Sequence, residues 1–403
     1  MESSNYNRTM CACFTAYIVQ AIVNNFAPLL FLTFHSQYGV SISRITMLVT
    51  VNFGLQLLVD FLSIGLIERI GYRASAVTAQ MFAAAGLLLL TILPEVCLDP
   101  FYGLLAAVLV YAVGGGLLEV LVSPIVEACP FDHKEKAMSL LHSFYCWGHV
   151  GVVLFSTLFF YTIGIEHWKW LTILWSVIPI CNALVFLNVP IAPLMEDDEK
   201  GMSVKELMSM KLFWVLMLLM MCAGACEQSV SQWASAFAEQ GLHVNKVAGD
   251  LAGPMMFAAL MGIARAVYGK AGDRIDLKRF MYASGILCLS SYCLIALVPN
   301  PVIGLIGCGL CGLSVGILWP GTFSIASASM KKGGTALFAL LALAGDLGCS
   351  AGPTLVGMVS GRNGGSLETG ILSGVVFPVL LLLGLLVFTW MTGKNGRKQG
   401  AVL

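Results

Sequence analysis

The sequence predicts an all-α membrane protein with twelve transmembrane helices, and three observations carry that expectation. Apolar residues make up 58% of the chain and charged residues 11%, against about 25% charge in soluble domains; the mean hydropathy is +0.86. The 403 residues, divided by the roughly 34 that one span and its loop occupy, give about twelve crossings. Apolar stretches also recur to the end of the chain, so the first is not expected to be a cleavable signal peptide.

In chain order the stretches cover 9–34, 44–67, 74–94, 101–127, 137–163, 168–189, 211–238, 247–269, 279–298, 301–327, 335–360 and 370–392. Each is about as long as the hydrocarbon layer is thick. The loops between them are short except for 190–210, which carries Glu196, Asp197, Asp198, Glu199 and Lys200. That polar stretch is read as a cytoplasmic linker between an N-terminal six-helix bundle (1–189) and a C-terminal one (211–403). If both termini share one side, that side collects seventeen of the 22 basic residues and the other only Arg44, Lys169, Lys246 and Arg362. The bias predicts cytoplasmic termini and a plasma or inner membrane location. Arg265 is left over, inside span 8.

The 22 basic and 22 acidic residues cancel, which argues against a nucleic-acid partner. Most of the 13 cysteines fall in apolar stretches, and no Cys/His spacing resembles a metal site. No metal, cofactor or obligate partner chain is implied, and a monomer in a lipid bilayer is expected.

The halves resemble each other. A shift of 205 superposes Glu68-Arg69-Ile70 on Asp273-Arg274-Ile275, and a shift of 196 takes Gly116 to Gly312 and Pro124 to Pro320. Pseudo-symmetric halves place a binding site at their interface, near the bilayer midplane.

The Gly269-x-x-x-Asp273-Arg274 run before span 9, with a degenerate copy before span 3, resembles the loop signature of the major facilitator superfamily. Ile64 and Glu68 depart from the pattern in the first copy. The resemblance implies a major facilitator fold and a gating role for Glu68, Arg69, Arg73, Asp273 and Arg274; loop charges and helix caps explain any one of them equally well. More narrowly, Gly114-Gly-Gly-Leu-Leu-Glu119-Val-Leu-Val-Ser123-Pro124, with Phe144-x-x-x-Gly148, is similar to fucose permease-type sugar:proton symporters. The resemblance implies proton coupling at Glu119. That group also has a span 1 aspartate, where this chain has Asn24 and Asn25, and an asparagine where it has Ser123.

A charge at the bilayer centre costs at least about 2.5–3.5 kcal/mol, so each buried ionisable residue is a functional candidate. Glu119, roughly 16 Å deep at 1.5 Å per residue, is the expected proton site. His149 at similar depth on span 5 is either its relay partner or a buried, hydrogen-bonded histidine; His142, seven residues earlier, is a site or packing residue. On span 7, Glu227, Gln228 and Gln232 share a helical stripe beside Trp233. With Trp319, Trp147, Asn24 and Asn25 they could supply the polar groups and aromatic walls that a sugar needs. Asp346 on span 11 and Arg265 on span 8 are the natural charge pair of the second half, and Asp346 is a second candidate for the proton. Asp60, eight residues before Glu68, is read as part of the gate. Asn24 and Asn25 near Pro28 also suit a locally irregular helix.

The expected function is secondary active transport by alternating access: proton-coupled uptake of a sugar or similar small polar solute. Span 5 lacks the Gly-Pro pair typical of the superfamily's drug exporters, which favours uptake. The alternatives are proton-driven export of drugs or amphipathic metabolites, and a solute sensor of transporter architecture. A membrane-embedded enzyme would need a metal or nucleophile constellation, and the six histidines form no HxxxH or HxxE pair.

Overall fold

The computed structural model describes residues 3–130, 134–191, 202–271, 276–330 and 333–399, all helix or connecting turn with no strand among them. Twelve helical segments are long and apolar enough to cross a membrane. Spans 1 to 6 are Tyr6–Tyr38, Ile42–Ser63, Tyr72–Val96, Pro100–Val126, Leu140–Thr162 and Ile165–Asn188. Spans 7 to 12 are Lys211–Gly241, Lys246–Tyr268, Leu277–Leu297, Pro301–Ser329, Leu337–Arg362 and Leu367–Thr392. These lie within a few residues of the stretches read from hydropathy. Residues 192–201 of the 190–210 stretch lie outside the described residues; beyond them Val204–Ser209 forms a short helix. A reciprocal box caps it, Ser203 Oγ accepting from the Glu206 amide and the Glu206 carboxylate from Ser203 N.

Span ends follow local capping chemistry. Asp99 accepts from Phe101 N at 3.0 Å and Asn300 from Val302 N at 3.0 Å, each just ahead of a proline in the first helical turn. That amide, with Arg44 at 2.7 Å, holds the exposed Asp99 carboxyl below its ordinary range.

Spans 1, 7, 8 and 12 break their α geometry toward the end remote from the termini, span 12 between Leu367–Ser373 and Val376–Gln399. Span 1 stops at Asn25, tightens into a 3₁₀ turn over Ala27–Leu30 around Pro28, and restarts at Phe31. Spans 7 and 8 contain π-turns at Phe237–Gly241 and Leu251–Met255, the second holding Pro254. The irregular span 1 expected from Asn24, Asn25 and Pro28 is therefore present, but its amides are inward: Asn24 is 5% exposed and Asn25 3%.

Small residues set the closest approaches. A Cβ on Gly348 of span 11 would sit 1.9 Å from the Met221 carbonyl oxygen of span 7, and one on Gly312 of span 10 would sit 2.1 Å from Phe257 O of span 8. Gly116, the equivalent of Gly312 under the 196-residue shift, approaches the Gln56 backbone of span 2 in the same manner. Gly348→Ala is expected to destabilise by about 1–3 kcal/mol, because neither backbone can yield without moving a helix. A lower thermal unfolding midpoint in detergent would register this; an unchanged one would mean that spans 7 and 11 separate freely.

Spans 2 and 11, from opposite halves of the chain, meet at the end remote from the termini. Thr50 and Thr354 hydroxyls hydrogen-bond there, Ser350 donates to Thr50 O at 3.4 Å, and Ser43 lies against Gly361. Beside them Lys246 Nζ of span 8 donates to Leu29 O of span 1 at 2.7 Å and pairs with Asp250 at 3.1 Å. Asp250 in turn accepts from Thr157 of span 5 and Ser235 of span 7. Toward the other end Phe61 of span 2 and Leu347 of span 11 line an apolar groove together with Trp214, Met217 and Leu218 of span 7. The molecule is sealed at its remote end. A Cβ at 361 would lie 3.4 Å from Ser43 Cβ, close to disulfide distance. Oxidising a Ser43→Cys/Gly361→Cys pair is thus expected to stop solute flux, and reduction to restore it. Full flux through the oxidised protein would mean that the seal never opens during transport.

Candidate functional site

Beneath the seal, a cavity of about 130 Å³ lies between spans 1, 2, 4, 5, 7, 8, 10 and 11. Helical spacing of four builds its polar walls. On span 1, Gln20 and Asn24 face inward with Tyr17. On span 2, Asn52, Gln56 and Asp60 form a stripe: Gln56 donates to Asn24 Oδ1 at 2.8 Å and to Asn52 at 3.0 Å, and Asn52 donates to Asn24 at 3.2 Å. Tyr17 meets Ser123 of span 4 at 3.1 Å, and its ring lies 5.4 Å from that of His142.

Glu119 sits half-buried in this wall and accepts one hydrogen bond, from Gln20 Nε2 at 2.8 Å. Asp60 of span 2 and Asp346 of span 11 join it, and oxygens of the three carboxyls lie within 4.8 Å of one another. Asp346 is 8% exposed. Among the described residues no lysine, arginine or histidine forms an ion pair with any of the three. Three ionised carboxylates at this spacing carry a Coulomb cost that grows steeply in a low-dielectric interior, so the trio is a place where positive charge is favoured.

Across the cavity, Arg265 forms the expected charge pair with a different partner. Its Nη2 lies 3.2 Å from Glu227 Oε2, its Nε donates to Gly316 O at 3.3 Å, and its Nη1 meets Cys146 Sγ of span 5 at 3.2 Å. The expected pairing with Asp346 is corrected: Arg265 turns toward span 7, leaving Asp346 to the carboxyl trio. Gln228 lines the cavity and accepts from Gln232, whose amide also donates to Asn24 O at 3.1 Å. Gln232 therefore links spans 1 and 7 beside the seal.

The remaining candidates divide. His142, Gln228, Glu227, Asn24 and Trp319 line the cavity. Asn25 does not; it donates to Ala21 O and to Tyr145 Oη. Trp233 is fully buried, its indole N–H on Pro353 O at 3.0 Å and its ring on Phe31. His149 is 2% exposed and outside the cavity, so the relay expected from its depth has no geometry here. Asp60 lies in the trio rather than a terminal-end gate. Arg73 donates to Phe186 O at 2.9 Å and Leu187 O at 2.6 Å, tying span 3 to the end of span 6. Asp273 and Arg274 lie outside the described residues, as do the side chains of Glu68 and Arg69.

Sequence reading overlooked Tyr17, Gln20, Gln56 and Tyr145, all of which line the cavity, and the sealing pair Lys246 and Asp250. The signal was available for most of them. Asn52-x-x-x-Gln56-x-x-x-Asp60, Gln20-x-x-x-Asn24 and Lys246-x-x-x-Asp250 are polar stripes at one helical face in otherwise apolar spans.

Comparison with known proteins agrees with this architecture. No curated protein sequence matches the chain. Its fold is similar to that of a D-xylose-proton symporter, at TM-score 0.77 and 12% identity over 95% of this chain and 97% of the other. A bacterial homolog of the human lysosomal transporter Spinster, inward-facing and occupied, superposes at TM-score 0.74 and 15% identity over 97% of each chain. The E. coli fucose:proton symporter superposes at TM-score 0.64 and 16% identity over 95% of this chain and 99% of that one. The profile of the Major Facilitator Superfamily matches residues 9–353. With twelve spans around a central polar cavity, the chain belongs to the Major Facilitator Superfamily of multi-pass membrane transporters.

Proposed function

We propose that this transporter couples protons to the uptake of a small polar, sugar-like solute, with two six-span halves (1–189 and 211–403) rocking about the cavity. The observation that carries the reading is the placement of Glu119 in the cavity wall, within 4.8 Å of two more carboxyls and with no cationic partner among the described residues. A proton is the smallest charge that relieves such a trio, and Asp60 and Asp346 share it with Glu119 in this reading. Asp346 comes from span 11 and the other two from spans 2 and 4, so separation of the halves alters how well the proton is held. That is the differential affinity between two states that coupling requires.

Gln20, Gln56, Gln228, Tyr145 and Arg265 offer donors and acceptors beside Trp319, the combination that recognises hydroxyl-rich solutes. The charge bias of the loops puts the termini in the cytoplasm. In that orientation the sealed end faces outward. A second reading rests on the cavity's acidity: Glu119, Glu227 and Asp346 face it with a single arginine and a set of aromatic rings. With Phe53 as a fourth ring beside Tyr17, Tyr145 and Trp319, that composition also suits a cationic amphipath exchanged for protons.

The test is the pH of a lightly buffered suspension of de-energised cells expressing the protein, pulsed with a panel of sugars. Transient alkalinisation with one sugar supports symport. Acidification on adding an organic cation supports exchange, and silence to both, with expression verified, rejects both readings.

A further inference from the structure

We infer that Asp60, Glu119 and Asp346, with the side-chain carbonyl of Gln20, form a binding site for a metal cation of sodium or calcium size, closed between the two halves of the chain.

The three carboxyls come from spans 2, 4 and 11, and their oxygens lie within 4.8 Å of one another. Ions of this size hold oxygen ligands at about 2.3–2.6 Å, so opposite ligands stand roughly 4.6–5.2 Å apart. Oxygens within that limit are close enough to share one such ion. Magnesium binds at about 2.0–2.1 Å and keeps several waters, which suits this buried cluster less well.

A second observation is independent of the acids. Gln20 is 3% exposed, its Nε2 is fixed on Glu119 at 2.8 Å, and its Oε1, on the same planar amide, is buried without any donor. A buried carbonyl oxygen without a donor is costly, and a cation beside Glu119 would satisfy it. Asp60 Oδ1 is likewise buried without a donor. The charges facing the trio do not neutralise it: Arg265 is engaged by Glu227, Gly316 O and Cys146. The remaining groups, Gln, Asp and Glu side chains, present hard oxygen. Sequence spacing gives no hint of such a site, because its ligands are 40, 59 and 227 residues apart in the chain, reckoned between neighbours in the order 20, 60, 119 and 346.

Binding itself stands apart from transport; only its use as a driving ion rests on the coupling role proposed for the same trio. The purified full-length protein in detergent is heated at constant ionic strength in NaCl, CaCl₂, MgCl₂ or choline chloride. The expected result is a saturable rise in unfolding midpoint with NaCl or CaCl₂ over choline chloride, and the two arms identify the ion. Asp346→Asn and Asp60→Asn are each expected to weaken the apparent affinity at least about tenfold, whereas Asp99→Asn, at the remote end, leaves it unchanged. Should Asp346→Asn fail to fold, Gln20→Leu, which removes the amide oxygen together with its bond to Glu119, is likewise expected to weaken the apparent affinity. The inference is overturned by equal midpoints in all four salts, or by a cation effect that survives both Asp60→Asn and Asp346→Asn. Either outcome leaves the proton reading intact, because sugar-dependent alkalinisation is measured separately in sodium- and calcium-free medium.

Discussion

Glu119→Gln is expected to abolish accumulation of the solute while leaving its exchange across the membrane. A membrane potential of about 100 mV is worth about 2.3 kcal/mol per proton, which supports an accumulation of roughly 50-fold. Glutamine keeps the size of Glu119 and its contact with Gln20, but it cannot carry a proton. The two sides of the membrane should then equalise, and the alkalinisation should vanish. Counterflow of labelled solute from preloaded vesicles should continue, since binding and rocking do not need the carboxyl. If accumulation survives, the proton travels on Asp60, Asp346 or Glu227, and Glu119 is a packing residue. If counterflow is lost as well, the glutamate contacts the solute directly.

Arg265→Met is expected to have the largest effect on stability. The Arg265 and Glu227 side chains are 20% and 9% exposed, so removing the arginine strands a buried carboxylate. Breaking such a pair on one side costs about 3–5 kcal/mol. The loss should appear as a lower unfolding midpoint and reduced yield of folded protein. Adding Glu227→Gln should recover most of the stability, because the stranded charge is gone. Transport should not recover, because Arg265 also joins Gly316 O of span 10 to Cys146 of span 5 across the cavity. A double variant no more stable than Arg265→Met would show that these other contacts, rather than the ion pair, hold span 8 in place.

The twelve spans were legible because hydropathy is a local property of the chain. Depth in the membrane was legible too, but direction around each helix was not. His149 and Glu119 share a depth, yet one turns into packing and the other into the cavity. His149 shares a helical face with His142 and Tyr145, which line the cavity, so which of them meets it depends on the neighbouring helices. Arg265 and Asp346 illustrate the same limit in pairs. Opposite charge made them natural partners, but span 7 presents Glu227 to Arg265, and spans 2 and 4 present acids to Asp346. Only the arrangement of neighbouring helices decides which partner a buried charge meets.

Three of the bonds that join the two halves of the chain, unlike the side-chain pairs Thr157–Asp250 and Thr50–Thr354, share a donor-side pattern with an evolutionary consequence. Lys246 reaches Leu29 O, Gln232 reaches Asn24 O and Ser350 reaches Thr50 O. In each, a side chain of the later sequence grips a peptide carbonyl of the earlier one. Every residue has that carbonyl, so the receiving position can drift without severing the bond, whereas the giving position cannot. A saturating mutational survey should find position 246 intolerant for this bond and position 29 constrained only by its own burial. Selection that retunes these three bonds would therefore act mainly through their donor positions in the second half of the gene.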